Sequence, residues 1–187
     1  IKVELVPTVI LGRHPGRGAP GGGAVPNAVF EGALQGLMDH HSPERASAIL
    51  TGYFASPAQV KAAAAFIKHA KSRNPKLAIW VDPVCGDGPP DGSDDGLYIG
   101  KSTAETLRDA LVPLADVITP NLFELAWLSG QPAHCADQVA KLARLLCPQT
   151  LITSLDFDDL FGVLAVNETE AWIGQTPKRQ NVPKGTG

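Results

Sequence analysis

The chain has 187 residues, 44% apolar and 19% charged, with a net charge of -3. That length suits one domain able to bury roughly two thirds or more of its unfolded surface, and so small a charge gives no global field to draw in nucleic acid or anionic lipid. No apolar run is long enough to span a bilayer, and the opening IKVELVPTVIL reads as a strand rather than a secretory leader, so the expectation is a cytoplasmic protein.

Along the chain, residues 2–11 are strand-like, and Asn27 to Asp39 carries Phe30, Leu34, Leu37 and Met38 at helical spacing. Ala46 to Leu50 is a short apolar strand. Ser56-Pro57-Ala58-Gln59 has the pattern of a capping box with Pro at the first helical position, opening an Ala-rich helix that Asn74-Pro75 ends. A strand over residues 77–81 follows, then a second capping pattern from Ser102 to Glu105, a strand over residues 116–119, and a helix capped by Asn121 to Glu124 that stops at Gly130. A helix over Ala136 to Leu146, a strand over Thr150 to Ser154 and a hairpin over residues 161–174, turned at Asn167 to Thr169, complete the pattern. Repeated strand-helix-strand units predict an α/β fold over residues 1–187 as one domain, with a largely parallel sheet and helices on both faces.

Ligands of such sheets bind beyond the carboxyl ends of the strands, which makes the strand exits the place to look. Those exits are Thr51-Gly52-Tyr53, Asp82-Pro83-Val84-Cys85-Gly86-Asp87, Thr119-Pro120-Asn121 with Glu124, and Thr153-Ser154. Three carboxylates in one crevice repel unless a cation joins them, so Asp82, Asp87 and Glu124 suggest a magnesium site, directly or through water. The hydroxyls of Thr119, Thr153 and Ser154 are suited to phosphate oxygens or water beside it. The alternative is purely structural: Asp82 and Asn121 as turn formers, Glu124 as half of a capping box. Gly16-Arg17-Gly18-Ala19-Pro20-Gly21 fits G-x-G-x-x-G, but Pro20 and Pro26 delay any helix past the motif, so a Gly-rich flap over a ligand fits better than a dinucleotide fingerprint. Cys85, Cys135 and Cys147 have no zinc or redox spacing and read as free thiols. His40, His41, His69 and His134 fall on helix or loop surfaces and carry no assignment. The Pro183-Lys184-Gly185-Thr186-Gly187 stretch has the form of a turn whose bare amides wrap an anion.

WVDPVCGDG at 80–88, GLYIG at 96–100, VPLADVITPNLFELAWLSG at 112–130, LITS at 151–154 and the GTG at 185–187 stand in colinear order over nearly the whole chain. Together they resemble pyridoxal kinase, of the ribokinase-like superfamily, which implies a three-layer α/β/α sandwich with a small β-hairpin. The resemblance implies that Asp82 lies near the ATP phosphates, that Asp87 assists the metal, and that Glu124 reaches magnesium through water. It likewise sets Tyr98, Thr119, Thr153, Ser154 and Thr186 at the nucleotide; another form of the family has Lys at the position of Ser154. In LGRHPGRG, residues 11–18, His14 matches a substrate-flap histidine, while Pro15 replaces a substrate-contacting threonine. Gly185, Thr186 and Gly187 match the anion hole that precedes the family's catalytic aspartate. That aspartate would come next, and the family's first strand would precede Ile1. The chain therefore reads as a fragment incomplete at both ends and inactive as written.

The activity implied is ATP-dependent phosphorylation of the 5'-hydroxymethyl group of pyridoxal and related B6 vitamers to pyridoxal 5'-phosphate, in vitamin B6 salvage. ATP is the co-substrate with Mg2+, a monovalent cation is allowed, and a homodimer is expected for the full-length form. Hydroxymethylpyrimidine (phosphomethylpyrimidine) kinase is the neighbouring alternative, and a non-catalytic nucleotide-binding fragment is a third.

Overall fold

The chain opens with a two-stranded ribbon, β1 (Val9–Leu11) against β2 (Gly22–Ala24), antiparallel with Ile10 opposite Gly23. The computed structural model describes residues 2–13, 18–157 and 160–177. The expected strand over residues 2–11 thus shrinks to its last three residues, because residues 2–7 have no ladder partner among the described residues. The ribbon closes on Gly22, whose φ of +89° and close approach to the carbonyl of Ile10 leave no room for a side chain.

The helices α1 (Asn27–Asp39), α2 (Ser42–Arg45) and α3 (Pro57–Arg73) follow, with β3 (Ala48–Thr51) between the last two. The Ser56 side chain accepts a hydrogen bond from the Gln59 amide at 3.3 Å and caps α3, as its sequence predicts. The Gln59 side chain does not return to the cap. It is 1% exposed, accepts from the Ala55 amide at 2.9 Å and donates to the carbonyls of Thr8 and Val25, both at 3.0 Å, tying the ribbon to the core.

β4 (Ala78–Val81) leads into α4 (Lys101–Thr106). The predicted cap at Ser102 is corrected: Gly100 holds the cap position, the helix starts at Lys101, and Ser102 lies inside it. The helix winds on through a wide turn at Leu107–Leu111 and a tight one at Val112–Leu114 before β5 (Val117–Ile118). Next come α5 (Leu122–Ser129), ended by Gly130 at φ +66°, and α6 (Ala136–Leu146). β6 (Gln149–Phe157) is longer than the sequence suggests, and β7 (Leu160–Val166) with β8 (Ala171–Pro177) forms the expected hairpin. The Asn167 side chain closes its turn by accepting from the amides of Thr169 and Glu170.

Six strands stand in chain order from β3 to β8, the first four parallel and the hairpin antiparallel. The α/β class and the largely parallel sheet are as expected. Side chains alternate across a strand, so Ile49, Ile79, Val81, Ile118 and Ile152 share one face. The buried clusters under the helices form on that face, around Ile67, Leu107 and Phe123 at one end and around Leu125, Leu142 and Leu164 at the other. The other face carries Leu50, Trp80, Val117, Leu151, Ala165 and Trp172. Among the described residues no helix covers it, and Leu50 is 72% and Trp172 53% exposed. The expectation of helices on both faces is met on one face among the described residues.

Candidate functional site

The crevice is built where the parallel strands end. β4 runs out at Val81, and the amide of Asp82 donates to the Thr51 carbonyl at 3.0 Å, fixing this exit against β3. The loop beyond folds back on a second segment: the Asp87 amide donates to the Gly96 carbonyl at 2.9 Å and the Tyr98 amide to the Cys85 carbonyl at 3.1 Å. Phe123, 1% exposed, lies beneath both segments, and a Cβ on Gly86 or Gly96 would run into its ring. Those two glycines let the DPVCGDG and GLYIG segments close over the start of α5, which brings Tyr98 beside Cys85.

Glu124 draws the exits together. It completes the capping box of α5: its Oε2 accepts from the Asn121 amide at 2.9 Å, and Asn121 Oδ1 accepts from the Glu124 amide at 2.8 Å. Its Oε1 accepts from the Cys85 amide at 3.0 Å, across 39 residues of sequence. Asn121 Nδ2 donates to the Gly86 carbonyl at 2.9 Å, a bond the sequence reading missed. Nothing in the sequence signals that bond beyond Asn at a strand exit. On its other side Asn121 bridges in parallel to Thr153, whose amide donates to the Pro120 carbonyl at 3.0 Å.

Beside this bridge β6 carries a β-bulge at Thr153 and Ser154. Ile152 pairs with Leu164 and Leu155 with Gly162, so the two residues between them oppose Val163 alone. Ser154 takes a left-handed φ of +57° there, an uncommon state for a residue with a side chain.

The electrostatics are those of acids crowded in a half-dry crevice. Burial pushes the Glu124 carboxyl up to about 7, with nearby Asp82 adding to the rise and the amides of Asn121 and Cys85 opposing it. Burial also raises Asp82, whose carboxylate is partly relieved by a hydrogen bond to Thr119. The Tyr98 phenol is held above its ordinary range, first by burial and then by Glu124, Cys85, Asp87 and Asp82. The structure therefore sets Tyr98 within range of Asp82, Asp87 and Glu124 and pairs Thr119 with Asp82, with Thr153 bridged to Asn121 at the edge. All three cysteines are free. Cys85 and Cys147 are buried with thiols pushed up chiefly by burial, while Cys135 is exposed. The candidate residues His14, Pro15, Gly185, Thr186 and Gly187 lie outside the described residues.

The fit to a metal ion is narrower than three converging carboxylates suggest. Among the described residues no group of three His, Cys, Asp or Glu side chains is placed to hold one. Both Glu124 oxygens already accept main-chain amides. Mg2+, however, commonly keeps several waters and takes one or two carboxylates alongside substrate phosphates. The half-buried Asp82 and exposed Asp87 match that smaller demand.

A family model described as phosphomethylpyrimidine kinase matches residues 24–187. The chain belongs to that family. Among its relatives in the family, a pyridoxine/pyridoxal/pyridoxamine kinase of Bordetella avium is 36% identical over 191 residues, covering 98% of this chain and 63% of that protein. A pyridoxal kinase of Leifsonia xyli is 32% identical over 198 residues, covering 100% of this chain and 68% of that one. The pyridoxal kinase of Leishmania donovani, solved with ADP and pyridoxamine, superposes with a TM-score of 0.79 at 26% identity, covering 92% of this chain and 61% of that one. The pyridoxal kinase of Entamoeba histolytica does so with a TM-score of 0.84 at 25% identity, covering 95% and 64%. The chain thus spans less than two thirds of the Bordetella relative and of both solved structures. The ribokinase-like architecture read from the sequence is the one these structures share with it.

Proposed function

We infer that the protein acts in the transfer of a phosphoryl group from ATP to the 5'-hydroxymethyl group of pyridoxal and related B6 vitamers, giving pyridoxal 5'-phosphate in vitamin B6 salvage. The observation that carries this reading is the strand-exit crevice, where Glu124 ties the loop after β4 to the start of α5, Thr119 hydrogen-bonds Asp82, and Tyr98 lies within electrostatic range of Asp82, Asp87 and Glu124. Relatives and solved structures named as pyridoxal kinases support it.

Phosphoryl transfer asks mainly for positioning and charge neutralisation. Asp82 and Tyr98 are proposed to flank the nucleotide phosphates, with Thr119, Thr153 and Ser154 offering hydroxyls along it. Thr119 holds the Asp82 carboxylate in place. Glu124 and Asn121 keep the loop after β4 at a fixed distance from the start of α5. Mg2+, when bound, would neutralise phosphate charge; Asp87 and Asp82 would share it with the phosphates, with Glu124 reached through water. His14 and Pro15 are proposed on the substrate flap, and Gly185, Thr186 and Gly187 at the transferred phosphoryl group. A cytoplasmic location and a homodimer complete the proposal.

Hydroxymethylpyrimidine phosphorylation is the second reading, favoured by the description of the family model. Both substrates carry a hydroxymethyl group on an aromatic ring, so a competition assay separates them. With ATP and Mg2+, mass spectrometry is expected to show phosphorylated pyridoxal formed at least tenfold faster than phosphorylated hydroxymethylpyrimidine. The reverse ratio establishes the second reading, and ADP binding without turnover of either substrate establishes a nucleotide-binding protein instead.

A further inference from the structure

Between Asp87 and Tyr98 the chain leaves the crevice and comes back to it. The neck of this excursion is closed by the Gly86–Leu97 bridge, with the Asp87 amide on the Gly96 carbonyl and the Tyr98 amide on the Cys85 carbonyl. Its far side is tied down separately: the Ala133 amide, beyond the end of α5, donates to the Pro90 carbonyl at 3.0 Å. Tyr98 itself is 55% exposed, so its place beside the acids is set through its main chain more than by packing around its ring.

The residue that governs this stretch of main chain is Asp94. Its carbonyl accepts from the Leu97 amide at 3.0 Å, closing the turn that delivers Tyr98. Its carboxylate is held from two elements. Oδ1 accepts from the Trp127 indole Nε1, on α5, at 3.0 Å, and Oδ2 from Nζ of Lys101, the first residue of α4, at 2.7 Å. The two holds are unequal. The Lys101–Asp94 pair joins side chains 61% and 49% exposed, and solvent-screened pairs of that kind contribute little. Trp127 is 4% exposed, so its N–H has left water and relies on Asp94 as acceptor. Arg108, in the wide turn after α4, sets its guanidinium 5.4 Å from the centre of the Trp127 ring and adds a second hold on the indole. Trp127 follows Glu124 by three residues, which puts the two on neighbouring turns of one side of α5. One helix therefore holds both ends of the excursion. Glu124 takes the Cys85 amide where the chain sets out, and Trp127 takes the Asp94 carboxylate where it returns.

We propose that Asp94 and Trp127 are a positioning pair for nucleotide binding, a clasp that fixes the main chain of Tyr98 and with it the distance of the tyrosine from the acids of the crevice. Neither residue touches the nucleotide; both act through Tyr98. The inference rests on the reading that Tyr98 flanks the nucleotide phosphates. Fixing the segment beforehand removes the ordering cost that a loose one would set against binding.

Calorimetric titration with ADP and Mg2+, paired with hydrogen exchange, tests the clasp. D94A is expected to weaken ADP binding at least about fivefold and to speed exchange of the Leu97 and Tyr98 amides at least about tenfold, with circular dichroism unchanged. W127F, which keeps an aromatic ring without a donor, should act in the same direction. D94N retains an acceptor for the indole and should recover ADP affinity to within about twofold of the parent. Placed on Y98A, D94A should weaken ADP no further, because its effect passes through Tyr98. Parental ADP affinity in D94A overturns the inference whatever the exchange shows, and leaves the phosphoryl-transfer reading standing. A D94N as weak as D94A also overturns it, giving the role to charge rather than to the indole bond. Further weakening in D94A/Y98A does so too, since Asp94 would then act elsewhere. A parent protein that binds no ADP removes the phosphoryl-transfer reading and this inference with it.

Discussion

Glu124 carries more than one duty for a single side chain. Its carboxyl sits at about 7 in the folded protein against an ordinary 4.5. Over that window the native state holds a proton that the unfolded chain has released, so stability falls as pH rises from about 4.5 to 7 and levels off above. The loss at neutral pH is on the order of 3 kcal/mol. Asp82 is shifted in the same direction and adds to the slope. In E124Q the ionisation is gone, but the carboxamide NH2 must point at one of the two amides that Glu124 now accepts, costing about 1–3 kcal/mol. Urea titrations should therefore find E124Q less stable than the parent at pH 5, with the gap narrowing or reversing by pH 8. Parallel pH profiles for the two proteins would refute the account. The sequence made Glu124 visible, since its capping partner is three residues away. Its bond to Cys85 was hidden, because no local pattern encodes a contact across 39 residues.

At the scale of elements, local signals are legible in the sequence and partnerships between elements are not. Caps at Ser56, Asn121 and Gly130 depend on neighbours in sequence and proved legible. The start of α4 did not, because Gly100 caps with backbone alone and leaves no side-chain signature. Strand lengths depart from the sequence pattern where pairing sets them, at residues 2–7 and beyond Ser154. Gln59 shows how a residue read as a cap becomes a brace between elements. Its carboxamide serves the Thr8 and Val25 carbonyls and the Ala55 amide in a site with 1% exposure. Q59L leaves those three groups without their partner and should cost at least about 2 kcal/mol. Hydrogen exchange would localise the damage, with faster exchange in β1 and β2 and little change in the β6–β8 ladders. Uniform acceleration throughout the sheet would show that Gln59 is ordinary core instead.

For the whole molecule, the outstanding feature is asymmetry: one sheet face is sealed by helices, and the other presents Leu50, Trp80 and Trp172. Large contiguous apolar exposure marks a surface that meets something. A fluorescent apolar dye is expected to bind the native protein, and W80K/W172K should at least halve that signal while shifting stability by no more than about 1 kcal/mol, as substitutions at exposed positions do. A signal unchanged by both substitutions would place the dye elsewhere. The helix patterns gave no warning of this asymmetry, since an amphipathic period says that a helix is half-buried without saying which side of the sheet receives it. The three cysteines turn the same asymmetry into a clock. Cys135 is open to reagents, whereas Cys85 is buried with its thiol protonated and its own amide bonded to Glu124. Alkylation should thus proceed as one fast event followed by slow ones. The wait for Cys85 then times the spontaneous opening of the crevice, and E124Q, which removes one of the two amide bonds joining the loop after β4 to the cap of α5, should shorten it without hastening Cys135.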